Sequence, residues 1–262
     1  GGFVGVDVFF VISGYLITRN LLREVETTKR VELRSFWARR IRRLLPAQAL
    51  VVLLTLIVGY QVLPLYDLQG FAMQGIMASL YLSNMWFAVD AQDYFLAGSE
   101  SSPFLHTWSL GVEEQFYVIW PVIFLLSAGA RKVRLLNRVA HARRRVLLTA
   151  FGLLFVSSFL LSLHLTNSGS TWAFFGLPSR AWEFAAAGLL AAVALPRSLR
   201  TTGARIVLGV TGLIVLVVAN LVIDGSTAYP GLWALLPVTA TVLIIMAGDS
   251  WDGTMSSSPL SG

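Results

Sequence analysis

The sequence predicts an all-α, polytopic membrane protein, and three observations carry that prediction. Of 262 residues, 56% are apolar and only 13% charged, whereas soluble domains carry about 45–50% and about 25%. So little charge does not cover a soluble globule of this length. Eight mostly apolar stretches follow one another, each close to the roughly 20 residues that a helix needs to cross a bilayer. The basic residues are confined to a few connections between those stretches. The abundant apolar and aromatic residues exclude disorder, and no period-2 alternation of a membrane barrel is present. The absence of cysteine excludes disulfides, thiolate-bound metals and thiol nucleophiles.

The predicted membrane segments are, in order, Val4–Leu22, Leu44–Leu63, Leu68–Val89, Trp108–Ala128, Val146–Leu165, Pro178–Leu195, Ile206–Ile223 and Gly231–Ala247. Residues 1–249 form one transmembrane domain, and 250–262 read as a Ser/Gly-rich loop or truncated tail. The chain opens Gly1-Gly2-Phe3, with no Met and no charged leader. It therefore reads as starting inside a longer protein.

Orientation follows from Lys and Arg. Nine of the 20 basic residues lie between Arg19 and Arg43, seven between Arg131 and Arg145, and three between Arg197 and Arg205. The connections after Leu63 and Val89 carry Asp67, Asp90, Asp93 and Glu100 and no cation. The three basic connections are expected inside and the acidic ones outside, which explains the net charge of +6 without nucleic acid. Parity then leaves about seven crossings. Leu68–Val89 cannot be a further one, and Gln69, Gln74, Ser79, Ser83 and Asn84 interrupt it. It is expected to be a re-entrant or interfacial helix packed against protein.

Ionisable groups inside such segments cost roughly 2.5–3.5 kcal/mol on insertion scales, so each points to a partner or a function. The block Phe36 to Pro46 places Arg39, Arg40, Arg42 and Arg43 at the inner end of a crossing, with Pro46 suited to the first turn of the next helix. It reads either as a lipid-binding topology anchor or as a site for a phosphate-rich ligand, because Arg binds phosphate through paired donors. The block Pro103 to Tyr117 enters from the outer side. Ser109 and Glu113 are i and i+4 on one helical face, and His106 joins them if the helix starts early. Glu114 is turned about 100° away. Two adjacent carboxylates with His106 and Gln115 favour a functional site, but not a metal site, for want of His-x-x-x-His or Cys. Arg180 and Glu183 are i and i+3 and form an ion pair, or else contact substrate or the Glu113/Glu114 pair. Asp7, flanked by Gly5 and Gly14 for close helix approach, is a partner for Arg180 or for a residue beyond this sequence. Tyr229 to Trp233 reads as an interfacial aromatic anchor and helix start.

Together these residues resemble the membrane acyltransferase-3 family, which acylates sugars and related extracytoplasmic acceptors. Gly2 to Ile17 is similar to the family's second transmembrane segment, and Phe36 to Pro46 resembles its Arg-rich motif, with Arg40-x-x-Arg43 in place. His106-Thr107-Trp108-Ser109-Leu110 through Glu113-Glu114-Gln115-Phe116-Tyr117 resembles its most recognisable block. Ser179 to Glu183 and Tyr229 to Pro237 are also similar. The family's first helix, with an Arg and a His thought to act in transfer, and its last helices have no counterpart here. The resemblance therefore implies a fragment that is inactive alone.

The resemblance implies an O-acyltransferase of a bacterial cytoplasmic membrane. An acyl group, acetyl by default, would move from cytosolic acyl-CoA to a hydroxyl of an extracytoplasmic glycan or glycolipid. No permanently bound cofactor is implied. The residues implied are His106, Glu113 and Glu114 for chemistry, Arg39, Arg40 and Arg43 for the CoA phosphates, and Asp7, Ser109, Arg180 and Glu183 for a substrate-binding or structural polar network. In that picture the arginines lie at the inner face and the other groups in the outer half. Intramembrane charges also mark transport paths, so a transporter is the alternative, and a membrane scaffold a third reading.

Overall fold

The computed structural model describes residues 2–28, 31–97, 102–129, 140–193 and 196–248. All regular elements among them are helical. They are α1 (Val4–Thr28), α2 (Leu33–Val62), α3 (Leu68–Ser79), α4 (Ser83–Ala97), α5 (Trp108–Gly129), α6 (Ala140–Asn167), the single turn α7 (Trp172–Phe175), α8 (Leu177–Ala192), α9 (Thr202–Val222) and α10 (Leu235–Gly248). A 3₁₀ turn, Leu105–Thr107, leads into α5 and another, Arg197–Arg200, precedes α9. Residues 131–139 of the second basic connection and the tail 250–262 lie outside the described residues.

Among the described residues, four helices are long and apolar enough to cross a membrane by themselves: α1, α2, the Arg144–Asn167 part of α6, and α9. Around them α5 and the shorter α8 and α10 complete an all-α membrane protein. Lipid tails are as apolar as Leu, so packing and interhelical hydrogen bonds hold such a bundle together. The centre is α8, which packs on α6 and α1, while α9 and α10 pair and α10 leans on α1. The core is aromatic. The Phe116 and Phe184 rings stack at 3.9 Å, Phe10 and Phe184 at 4.7 Å, and Trp120 and Phe151 at 4.5 Å. By contrast α2 and α9 sit at the periphery and expose Leu50, Leu54 and Val58 on one and Val210, Leu213 and Val217 on the other. Those apolar faces suit lipid, because helices satisfy their own backbone groups.

Close approach of α1 to α8 depends on Gly14. A Cβ there would stand 2.9 Å from both the Cα and the carbonyl oxygen of Phe184, and neither atom can yield without moving the α8 backbone. Gly14→Val is therefore expected to lower the melting temperature of the detergent-solubilised protein markedly, whereas Gly5→Ala leaves it unchanged. Equal melting temperatures for Gly14→Val and wild type would show that α1 and α8 can separate without loss. The sequence expectation that Gly5 also serves close approach is corrected, because no atom lies within 4 Å of a Cβ at that position.

The segment read as one re-entrant or interfacial helix, Leu68–Val89, is in fact two helices broken at Leu80–Leu82, where Tyr81 has φ +57°. With 12 residues in α3 and 15 in α4, the pieces are about 18 and 22 Å long. Polar residues of α2 and α5 satisfy the break. Gln48 Nε2 donates to the Ala78 carbonyl at 3.1 Å, and Gln115 Nε2 donates to the Tyr81 carbonyl at 3.2 Å. Asn84 and Gln115 exchange amide hydrogen bonds, with Gln115 Nε2 to Asn84 Oδ1 at 2.7 Å, and Thr107 Oγ1 donates to Ser83 Oγ at 2.7 Å. Broken helices survive at membrane depth only with such partners.

A second correction concerns α2. It starts at Leu33 rather than Leu44, so the arginine block is helical and Pro46 lies inside the helix, not in its first turn. The run is rich in Arg, Leu and Ala, all good helix formers, and this outweighs the one donor that Pro46 lacks. At 30 residues, α2 is about 45 Å long and exceeds the roughly 30 Å hydrocarbon core. Beyond α9, the Asp224 carboxylate accepts bonds from the Ser226 side chain and amide and from the Thr227 hydroxyl. These bonds hold its pKa below the ordinary carboxylate value and order the turn that leads to the cis Tyr229-Pro230 peptide.

Candidate active site

Two buried polar clusters lie inside the bundle. The first joins α1, α2 and α5 around Tyr117. Glu113 and Tyr117 are i and i+4 on α5, and the Tyr117 hydroxyl donates to Glu113 Oε1. From α1 the Ser13 hydroxyl also donates to Glu113 Oε1 and lies within hydrogen-bond reach of the Tyr117 hydroxyl. The Arg40 guanidinium of α2 stands 3.2 Å from the centroid of the Tyr117 ring and 4.8 Å from that of Phe36. Trp37 Nε1, one turn earlier, donates to the Tyr117 carbonyl at 3.4 Å. The Arg40 charge acts on both Glu113 and Glu114, and that of Arg43 on Glu113. Glu114 points away from Glu113, and its Oε1 is buried with no hydrogen-bond partner among the described residues.

The second cluster is fully buried and ties α1 and α8 to the turn before α10. Arg180 Nη1 lies 3.0 Å from Glu183 Oε1 and 3.3 Å from Asp7 Oδ1. The Tyr229 hydroxyl donates to Asp7 Oδ2. Phe10, Trp108, Phe174 and Tyr229 surround the guanidinium, with centroids 5.6–5.9 Å from its Cζ. Two carboxylates and one guanidinium buried together form a high-stakes unit, because each charge needs the others.

The predicted residues thus separate into different environments. Asp7 and Arg180 are partners, as one reading held, and Arg180 and Glu183 form the i, i+3 pair. Glu114 shares the charge of Arg40 with Glu113 but not the hydroxyls of Ser13 and Tyr117. Ser109 and Glu113 are i and i+4 within α5, but the bonds of His106 and Ser109 go elsewhere. His106 is exposed with Nδ1 2.9 Å from the Pro103 carbonyl, and Ser109 Oγ donates to the His106 carbonyl at 3.4 Å. Both are local bonds to backbone carbonyls of the segment that leads into α5. Among the arginines only Arg40 turns inward. Arg43 is exposed, and Arg39 pairs with Glu24 of α1 at 3.6 Å. Arg40 and Glu113 lie closer than the expected separation of arginines from carboxylates implied, since both contact Tyr117, Arg40 at its ring and Glu113 at its hydroxyl.

Sequence reasoning missed Ser13, Tyr117 and Tyr229. Tyr117 carried a signal, its i, i+4 spacing from Glu113. Tyr229, read as an interfacial anchor, is instead a partner of Asp7. Among the described residues no three His, Asp or Glu side chains form a group that could hold a metal. Chemically, the first cluster combines a cation able to bind phosphate with a carboxylate whose buried Oε1 could take a proton.

Helical bundle and buried site together define a membrane protein with charged chemistry in its interior. The chain belongs to the acyltransferase family: the model described as "Acyltransferase domain" matches residues 1–260. It is 32% identical over 272 aligned residues to the Staphylococcus aureus (strain COL) protein named "Putative O-acetyltransferase", covering 99% of this chain and 43% of that protein. It is 44% identical over 128 residues to the Listeria monocytogenes "Peptidoglycan O-acetyltransferase OatA", covering 48% of this chain and 20% of that protein. It is 42% identical over 136 residues to the Bacillus subtilis (strain 168) "Putative peptidoglycan O-acetyltransferase YrhL", covering 51% and 21%. The chain thus spans less than half the length of these relatives. No solved structure matches it.

Proposed function

We propose that this protein takes part in moving an acetyl group from acyl-CoA to a hydroxyl of an extracytoplasmic glycan, with peptidoglycan as the acceptor. The observation that carries this reading is the meeting of Arg40 with Glu113 and Glu114 around Tyr117. CoA-dependent acylation of an alcohol uses a cation for the donor phosphates and a proton acceptor at the thioester, and the pantetheine arm of CoA spans the distance between the two. The names of the relatives supply the acetyl group and the peptidoglycan, and a bacterial cytoplasmic membrane is the site where cytosolic donor and external acceptor meet.

In the reaction an acceptor oxygen attacks the thioester carbonyl, the C–O bond forms, the C–S bond breaks and CoA leaves as the thiolate. The hydroxyl proton passes to a base. Arg40, with Arg43 outside it, binds the phosphates of CoA. Glu114 takes the proton, because its Oε1 is buried without a hydrogen-bond partner among the described residues, whereas Glu113 Oε1 accepts from two hydroxyls. Glu113 is held by two hydroxyls and orients the site, and His106 stands at the entrance.

The test is acetyl-CoA binding by the full-length protein in lipid. Loss of a charge-assisted phosphate contact is expected to weaken binding in Arg40→Ala by roughly 10–100-fold, while Arg39→Ala stays near wild type. Undiminished binding in Arg40→Ala, or proton-coupled solute uptake without CoA release, would overturn the reading, and the latter would establish transport.

A further inference from the structure

Three observations converge on Tyr117. Its hydroxyl donates to Glu113 and meets Ser13, so it ties α5 to α1. Its ring face carries the Arg40 guanidinium at 3.2 Å, so it ties α5 to α2. Its backbone carbonyl accepts from Trp37, one turn before Arg40. The side chain itself is buried, with 5% of its surface exposed, whereas Arg40 is only half-buried. An arginine side chain is long and carries about 2 kcal/mol of rotamer entropy. Stacking on a fixed aromatic face removes that freedom before any ligand arrives, and a cation over a desolvated ring is attracted by its quadrupole. Phe36, one turn before Arg40, closes the other side at 4.8 Å.

We propose that Tyr117 is a positioning residue that sets donor and chemistry in register: its ring aims Arg40 at the donor phosphates, and its hydroxyl fixes Glu113. This rests on the reading of Arg40 as a donor-binding group. The two halves of the side chain then have separable consequences. Removing the ring frees Arg40 and weakens donor recognition. Removing only the hydroxyl leaves Arg40 stacked, but deprives Glu113 of one of its two donors and loosens the carboxylate block.

The experiment is steady-state kinetics of the full-length protein in lipid with acetyl-CoA and peptidoglycan. It compares wild type, Tyr117→Phe, Tyr117→Leu, Arg40→Ala and the double variant Arg40→Ala/Tyr117→Leu. Tyr117→Leu is expected to raise the KM for acetyl-CoA about tenfold and to add nothing to the KM of Arg40→Ala, because the two act through one contact. Tyr117→Phe is expected to keep KM within twofold while kcat falls. A KM within twofold for Tyr117→Leu, or an effect that multiplies fully on the Arg40→Ala background, would overturn the proposal and leave the donor reading standing. A wild-type KM in Arg40→Ala would overturn the donor reading itself. If Tyr117→Leu does not fold, Tyr117→Phe and Tyr117→Trp decide the matter. Both retain a ring, so a tenfold rise in KM with both contradicts the proposal, and a KM within twofold with both supports it.

Discussion

Arg180→Ala is expected to destabilise the protein more than any other single change inside the bundle, by about 3–5 kcal/mol, the range for breaking a buried ion pair by removing one partner. Asp7 and Glu183 would be left without a cation in a site that is 0% exposed for all three residues. The rings of Phe10, Trp108, Phe174 and Tyr229 surround the position of the guanidinium. The cluster also fastens the turn before α10 to α1 through Tyr229 and Asp7, so loosening spreads to the α1–α10 contact. The companion variant discriminates. Arg180→Met with Asp7→Asn and Glu183→Gln removes all three charges, and a neutral trio is expected to recover most of the lost stability. Thermal melting of the solubilised protein measures both. Wild-type melting of Arg180→Ala would mean that the cluster contributes nothing to the fold.

Glu114→Gln is expected to lower kcat by roughly 10²–10⁴-fold, the range for loss of a general base, with less change in the KM for acetyl-CoA. Glu113→Gln is expected to cost less in kcat. Its amide oxygen can still accept from Ser13 and Tyr117, whereas a Gln at 114 has no basic site for a proton. Initial rates of CoA release, together with melting curves to confirm folding, check the pair. The reverse order, with Glu113→Gln inactive and Glu114→Gln active, would exchange the two roles.

Much of this architecture is legible in the sequence. The apolar runs predict the helices, and the i, i+3 spacing of Arg180 and Glu183 predicts their ion pair. The need of a buried Asp7 for a cation points to Arg180. The polar interruptions in Leu68–Val89 announce a segment that is not an ordinary crossing, although not that it breaks at Tyr81. The rest is not legible, for physical reasons. Ser13 and Glu113 are 100 positions apart, and Asp7 and Tyr229 are 222 apart, so no periodicity connects them. Tyr117 sits beside an apolar run where an aromatic residue needs no explanation, Tyr229 lies in a connection where it reads as an interfacial anchor, and only the folded chain shows that their hydroxyls face carboxylates. His106 and Ser109 have the spacing of a site but spend their polar atoms on the backbone at the start of α5. The arginine block hides which of its members turns inward, because that depends on where α2 begins.

The central claim is that Arg40 and Glu114 belong to one acyl-transfer site. It is tested most directly by peptidoglycan-dependent release of CoA from acetyl-CoA, measured on the full-length protein in lipid. Wild type is expected to release CoA only when the glycan is present, and Arg40→Ala and Glu114→Gln each to lose that release while melting like wild type. Glycan-dependent release undiminished in both folded variants would contradict the claim.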